Sequence, residues 1–165
     1  MTALPDRVER AFADHGSFEA AEEGVFESTT IPFEGVVRVR GIDPTTVEVT
    51  VRAPMLSEAV VDNEEVAPVV ETDWFETFDR RMEDAHMPMA RERELDPTVE
   101  DEAGELVVEA TLTDPDPSRL ADDARALVEY VEGTYVEGVV PGYEYDDPVD
   151  GLLNQARRTW EESSE

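Results

Sequence analysis

The sequence predicts an α+β domain, an antiparallel β-sheet with helices packed on one face. Three observations carry this. Segments with an apolar residue at every second position come in neighbouring pairs joined by turn sequences, the mark of hairpins. Other segments repeat apolar residues at three- and four-residue spacing, the mark of helices with one buried side. The length of 165 residues suits a single domain over residues 1–165. Residues 134–165 form a C-terminal extension expected to pack on its core.

The elements follow in order. Leu4, Val8, Ala11, Phe12 and His15 recur at helical spacing over 4–15, with Pro5 in the first turn and Gly16 as the stop. His15 then falls in the last turn, where an imidazolium complements the helix dipole. Residues 24–31 read as a strand closed by Pro32. Val37 and Val39 alternate with Val36, Arg38 and Arg40 over 35–40, and Val47, Val49 and Val51 alternate with Glu48, Thr50 and Arg52 over 46–53. The intervening Gly41-Ile-Asp-Pro-Thr-Thr is turn chemistry, so these strands form a hairpin whose three-valine face is buried.

Residues 54–71 read as a loop with one short helical turn. Val70, Trp74, Phe78 and Met82 then stack at i+4 in a helix capped by Thr72 or Asp73 and ended before Pro88. A second hairpin joins a strand over 91–99 to one over 105–113 through Glu100-Asp-Glu-Ala-Gly104. Asp116-Pro117 opens a helix through Leu120, Ala124, Leu127, Val128 and Val131 that stops at Gly133. Residues 134–145 are apolar and Tyr-rich but broken by Gly138 and Pro141-Gly142, and are expected to pack across the domain. Asp147-Pro148 starts a last helix with Val149, Leu152, Leu153, Ala156 and Trp160 on its apolar side.

Composition narrows the setting. The chain carries 13 basic and 42 acidic side chains, a formal net charge of −29, with no Lys and no Cys. Val, Leu, Ile and Phe number 22, 9, 2 and 6, enough for a modest core built mainly from Val. No apolar run approaches the ~20 residues of a membrane span, and the N-terminal residues lack the basic and apolar regions of a signal peptide. The charge opposes binding to nucleic acid and to anionic membranes. Absence of Cys removes disulfides, thiolate nucleophiles and Cys-ligated metals. Abundant acids without Lys resemble the cytosolic proteins of extreme halophiles, where molar salt shortens the Debye length to about 3 Å. A cytoplasmic location follows.

Two segments, Trp74–Asp84 and Glu129–Tyr145, resemble recurring stretches of a haloarchaeal family of small acidic proteins described only as a domain of unknown function. That resemblance implies no activity and no site residues. The element order over 4–133, α-β-β-β-α-β-β-α before the C-terminal helix, resembles the fold of type III secretion chaperones and their bacterial relatives.

Candidate chemistry is sparse. Glu83, His86, Met87 and Met89 match no ligand spacing and read as the end of an amphipathic helix. Asp146-Asp-Pro-Val-Asp-Gly151 lacks the alternate ligands and distal Glu of a calcium loop. No phosphate loop, nucleophile elbow or zinc-protease motif occurs. No catalytic residue, metal site or cofactor is therefore expected. Arg38, Arg40 and Arg52, with Arg91 and Arg93 on the next strand, form the candidate binding surface, a sheet face for an acidic peptide or protein partner. The competing reading is cross-strand neutralisation, with Glu48 opposite Arg38 or Arg40. Tyr135 and Tyr143 are candidate ligand contacts within a group completed by Tyr130 and Tyr145, and the competing reading places them in the core. The function expected is a non-enzymatic binding or chaperone-like module, with a homodimer as one arrangement. The alternative is a small-ligand-binding protein, or a carboxylate-based enzyme, with a pocket near residues 134–145.

Overall fold

The structure, a computed structural model, describes residues 5–89, 93 and 95–163. Leu4, Arg91 and the side chain of Trp160 lie outside the described residues. Six strands form one antiparallel sheet: β1 (Phe18–Glu22), β2 (Val25–Ser28), β3 (Glu34–Ile42), β4 (Thr45–Pro54), β5 (Thr98–Glu102) and β6 (Glu105–Asp114). Their spatial order is β1-β2-β3-β4-β6-β5. The helices are α1 (Asp6–Ala13), α2 (Leu56–Ala59), α3 (Pro68–Met82), α4 (Pro117–Gly138) and α5 (Val149–Ser163). The α+β class and the antiparallel sheet are as the alternation predicts.

Valine builds the centre of the sheet. Val37 pairs with Val49, Val39 with Val47, and Val49 with Ala110. Val47, Val49 and Val51 are at most 1% exposed, and full burial of such a side chain stabilises by roughly 1.5–3 kcal/mol. Over this face runs α4, whose Leu120, Ala124, Leu127, Val128 and Val131 are all buried. Phe12 of α1 stacks on Phe26 with ring centroids 5.1 Å apart and meets Phe18 edge-on. Trp74, Phe78 and Met82 bury one side of α3, which packs beside α4 with Trp74 against Tyr135.

Several expected boundaries move, each for a physical reason. The alternation does not predict strand β1. Its sequence Phe-Glu-Ala-Ala-Glu lacks alternation because only Phe18 is buried, and an edge strand is held by backbone pairing to β2. The strand expected over 24–31 is the shorter β2. The strand expected over 91–99 is β5, shifted toward the turn. Among the described residues before it, Arg93, Leu95, Asp96 and Pro97 are not in a strand. The hairpin turn shrinks to Ala103-Gly104, both with positive φ of 51° and 91°, which matches a two-residue turn between twisted strands.

The cap of α3 is also displaced. The helix starts at Pro68 behind Ala67 with no side-chain cap, so Thr72 and Asp73 are interior. Pro at the first position supplies the preorganised φ instead. Gly133 does not stop α4, which continues to Gly138. A mid-helix Gly costs about 1 kcal/mol against Ala, and the buried Thr134 and Tyr135 in the extra turn offset it. His15 lies past the end of α1, so the helix-dipole reading does not hold. Its Nε2 sits 2.8 Å from Asp122 Oδ1 of α4, and its Nδ1 accepts the Ser17 N–H at 3.3 Å. That acceptor role leaves the proton on Nε2, where it is donated to Asp122.

Candidate functional site

The arginines divide into two kinds. Arg38, Arg40 and Arg52 lie on the sheet face opposite Val37, Val47, Val49 and Val51. Arg38 is directly across from Glu48, and Arg40 reaches the same Glu48 at 3.3 Å. Arg52 contacts Glu102 at 3.3 Å and Glu105 at 3.4 Å. The paired rows through Val36–Thr50, Arg38–Glu48 and Arg52–Val107 hold Glu27, Glu34, Glu48, Glu100 and Glu109 beside only Arg38 and Arg52. This face is therefore acidic, and two of its three arginines already have carboxylate partners.

Arg93 belongs to a different environment. Its side chain is 8% exposed and those of Asp114 and Asp123 are 0% and 1%. Nη2 donates to Asp114 Oδ2 at 2.8 Å and Nε to Asp123 Oδ2 at 2.7 Å. Nη1 donates to the Thr113 carbonyl, and the second Asp114 oxygen accepts the Asp116 N–H at 2.8 Å. One guanidinium thus ties the segment before β5 to the end of β6 and to α4. Such a cluster holds the fold together and leaves few donors for a ligand.

The tyrosines separate in the same way. Tyr135 is fully buried against Phe33 and Trp74, at centroid distances of 4.9 and 5.5 Å. Its hydroxyl donates to the Pro54 carbonyl at 2.8 Å. Burial raises its pKa above the ordinary phenol value, so it is a neutral core residue. Tyr130 donates to the Arg81 carbonyl at 2.7 Å.

Tyr143 and Tyr145 instead line a cleft of about 880 Å³ beside the end of α4, the connection 139–146 and α5. Local sequence builds it. Val139 takes extended backbone and ends α4; Gly142, at φ 97°, turns the chain. The returning segment is pinned to residues 59–61: Val60 bridges Tyr145, Val61 N–H donates to the Glu144 carbonyl at 3.0 Å, and Asp146 N–H donates to Ala59 at 2.8 Å. The Tyr145 hydroxyl donates to the Val140 carbonyl. Burial first, then the neighbouring Tyr143, lifts its pKa to about 12.

The two rings meet nearly edge to face, 6.5 Å apart at 72°. Val136, Val139, Val140 and Leu153 supply the apolar wall, while Glu64, Glu144, Asp150 and Arg157 add charge. The size lies within the range of small-molecule sites. Sequence reasoning placed Tyr143 here but missed Glu64, Leu153 and Arg157. Glu64 falls in the loop read over residues 54–71, and only the fold brings it into the cleft with Tyr145.

Other candidates stay apart. His86 is half-buried, Met87 is 70% exposed and Met89 is buried. Among the described residues, no group of three or more His, Asp or Glu side chains is placed to hold a metal ion. No helix among them is long and apolar enough to cross a membrane.

The fold and cleft define a small α+β domain with one open, acidic sheet face and an aromatic-lined groove at its helical end. The chain belongs to the family of unknown function DUF5813, whose model matches residues 13–155. That match covers the whole sheet, α4 and most of the cleft. No curated protein and no solved structure matches the chain.

Proposed function

We propose that the protein is a non-enzymatic binding module of a salt-rich cytosol, and that its binding site is the cleft between the end of α4 and α5. The observation that supports this is the cleft itself. It places Tyr143, Tyr145 and four aliphatic side chains around about 880 Å³ of open space, and its floor is fixed by backbone hydrogen bonds to residues 59–61. The acid excess without Lys supports the salt-rich setting. The sheet face offers less to an acidic peptide, because five glutamates accompany Arg38 and Arg52 in its central rows. This favours a small ligand in the cleft over a chaperone-like hold on the sheet.

A neutral apolar dye such as Nile red, titrated in molar KCl, tests the reading. Dye emission should rise and shift to the blue with the wild-type chain. Leu153→Glu should keep the circular dichroism spectrum and lose the emission. Equal emission from both chains would move the apolar site elsewhere and refute the assignment.

A further inference from the structure

We infer that the cleft takes an organic cation with an apolar body, of the quaternary ammonium class. The inference rests on the cleft being the binding site and names the chemistry of its ligand. Two features coincide there. The first is aromatic: Tyr143 and the largely buried Tyr145 both line the cleft and meet nearly edge to face, at 72° with centroids 6.5 Å apart. Aromatic rings attract cations through the ring quadrupole, and aromatic side chains are the usual recognition element for alkylated ammonium groups. The Tyr145 ring is held by its hydroxyl on the Val140 carbonyl and by the backbone bridge to Val60, so little ordering accompanies binding.

The second feature is charge. Three carboxylates, Glu64, Glu144 and Asp150, line the cleft with one guanidinium, Arg157, a balance of −2. Glu64 is near enough to oppose ionisation of the Tyr145 hydroxyl. Asp150 keeps an amide neighbour, Asn154 Nδ2, at 3.4 Å. An anion meets repulsion here. A small hydrated metal ion gains nothing from Val139, Val140 and Leu153, and a neutral apolar molecule leaves the carboxylates unused. A cation whose charge is spread over methyl groups satisfies both the rings and the acids without needing hydrogen-bond donors.

The test compares choline with its neutral carbon isostere, 3,3-dimethylbutan-1-ol, at constant KCl. Amide shifts of residues 139–146 and 150–157 in two-dimensional NMR give the affinities. Choline is expected to bind about tenfold tighter than the isostere, the scale of a cation held on an aromatic face. Tyr143→Leu, which keeps the apolar volume, and Glu64→Gln should each weaken choline by about threefold to tenfold and leave the isostere unchanged. Arg157→Gln, removing the like charge, should tighten choline. Equal affinity of the two probes would overturn the cation assignment while leaving the cleft as a binding site. Dye binding without choline binding has the same meaning. Failure of dye, choline and isostere alike would overturn both.

Discussion

The chain uses one chemistry, an arginine between two carboxylates, in two places with opposite consequences. On the exposed sheet face Arg52 lies 3.3–3.4 Å from Glu102 and Glu105, and all three side chains are at least a third exposed. Under the helices Arg93 binds Asp114 and Asp123 at 2.7–2.8 Å with all three nearly dry. An exposed pair is screened by ions and is worth about 0–1 kcal/mol. A buried one is costly to assemble and far more costly to break. In a chain of net charge −29, the lesson is that the position of an arginine, more than its partner, decides whether it holds the fold.

Withdrawing salt should separate the two regions most strongly. Screening of the surface acids lapses as the Debye length grows from about 3 Å at 1 M to about 30 Å at 0.01 M. The buried cluster is shielded by protein, so its own attraction changes little. We expect loss of cooperative structure below a few tenths molar KCl, as an order of magnitude from that screening length, and recovery on adding salt. Far-UV circular dichroism unchanged into dilute buffer would show that surface repulsion is not what salt controls.

Arg93→Ala comes next. It removes the guanidinium that bridges the buried Asp114 and Asp123, and should cost about 3–5 kcal/mol or abolish folding. Thermal melting in molar KCl measures it. A loss no larger than that of Arg52→Ala would erase the distinction between the regions.

Glu132 offers an intermediate case, a half-buried carboxylate without an arginine partner among the described residues. One of its oxygens is buried and has no hydrogen-bond partner among the described residues. Burial, then Glu129, raises its pKa. A raised carboxyl pKa means the folded state prefers the protonated form, so stability at neutral pH is lowered and returns as pH falls through the raised value. Glu132→Gln should therefore stabilise at pH 7 by about 1 kcal/mol or less. The advantage over wild type should shrink as pH falls toward the ordinary glutamate range. An advantage independent of pH would assign it to packing.

The smallest effects belong to Arg40→Ala and Arg52→Ala, each expected within about 1 kcal/mol and diminishing with added KCl. Urea titrations at two salt concentrations decide. A larger, salt-insensitive loss would place these arginines with Arg93.

Much of the architecture was legible because alternation and helical spacing both report burial. Val47, Val49 and Val51 announced the covered face, and Trp74, Phe78 and Met82 the covered side of α3. What escaped was everything fixed by distant partners. The strand β1 has backbone pairing but no buried alternation, so its residues carry no period to read. Arg93 looked like Arg38 and Arg40, since the two aspartates that enclose it come from 21 and 30 residues further along. Gly133 carries a stop signal that Tyr135 overrides by packing on Trp74. Within the cleft, Tyr143 stood out as an aromatic in a broken apolar stretch, whereas Glu64 was one acid among 42.

The two strands at the margins of the sheet have a consequence for solutions crowded with copies of this chain. Glu19 and Glu22 lie on β1, and Glu100, Asp101 and Glu102 on β5. In molar salt their fields reach only a few ångströms, so long-range repulsion no longer keeps copies apart. Hydration takes over that task. A second strand zipping onto either margin would have to strip water from carboxylates, with no Lys on the chain to offer in exchange. A strand added at either margin thus meets a short-range cost that salt does not remove.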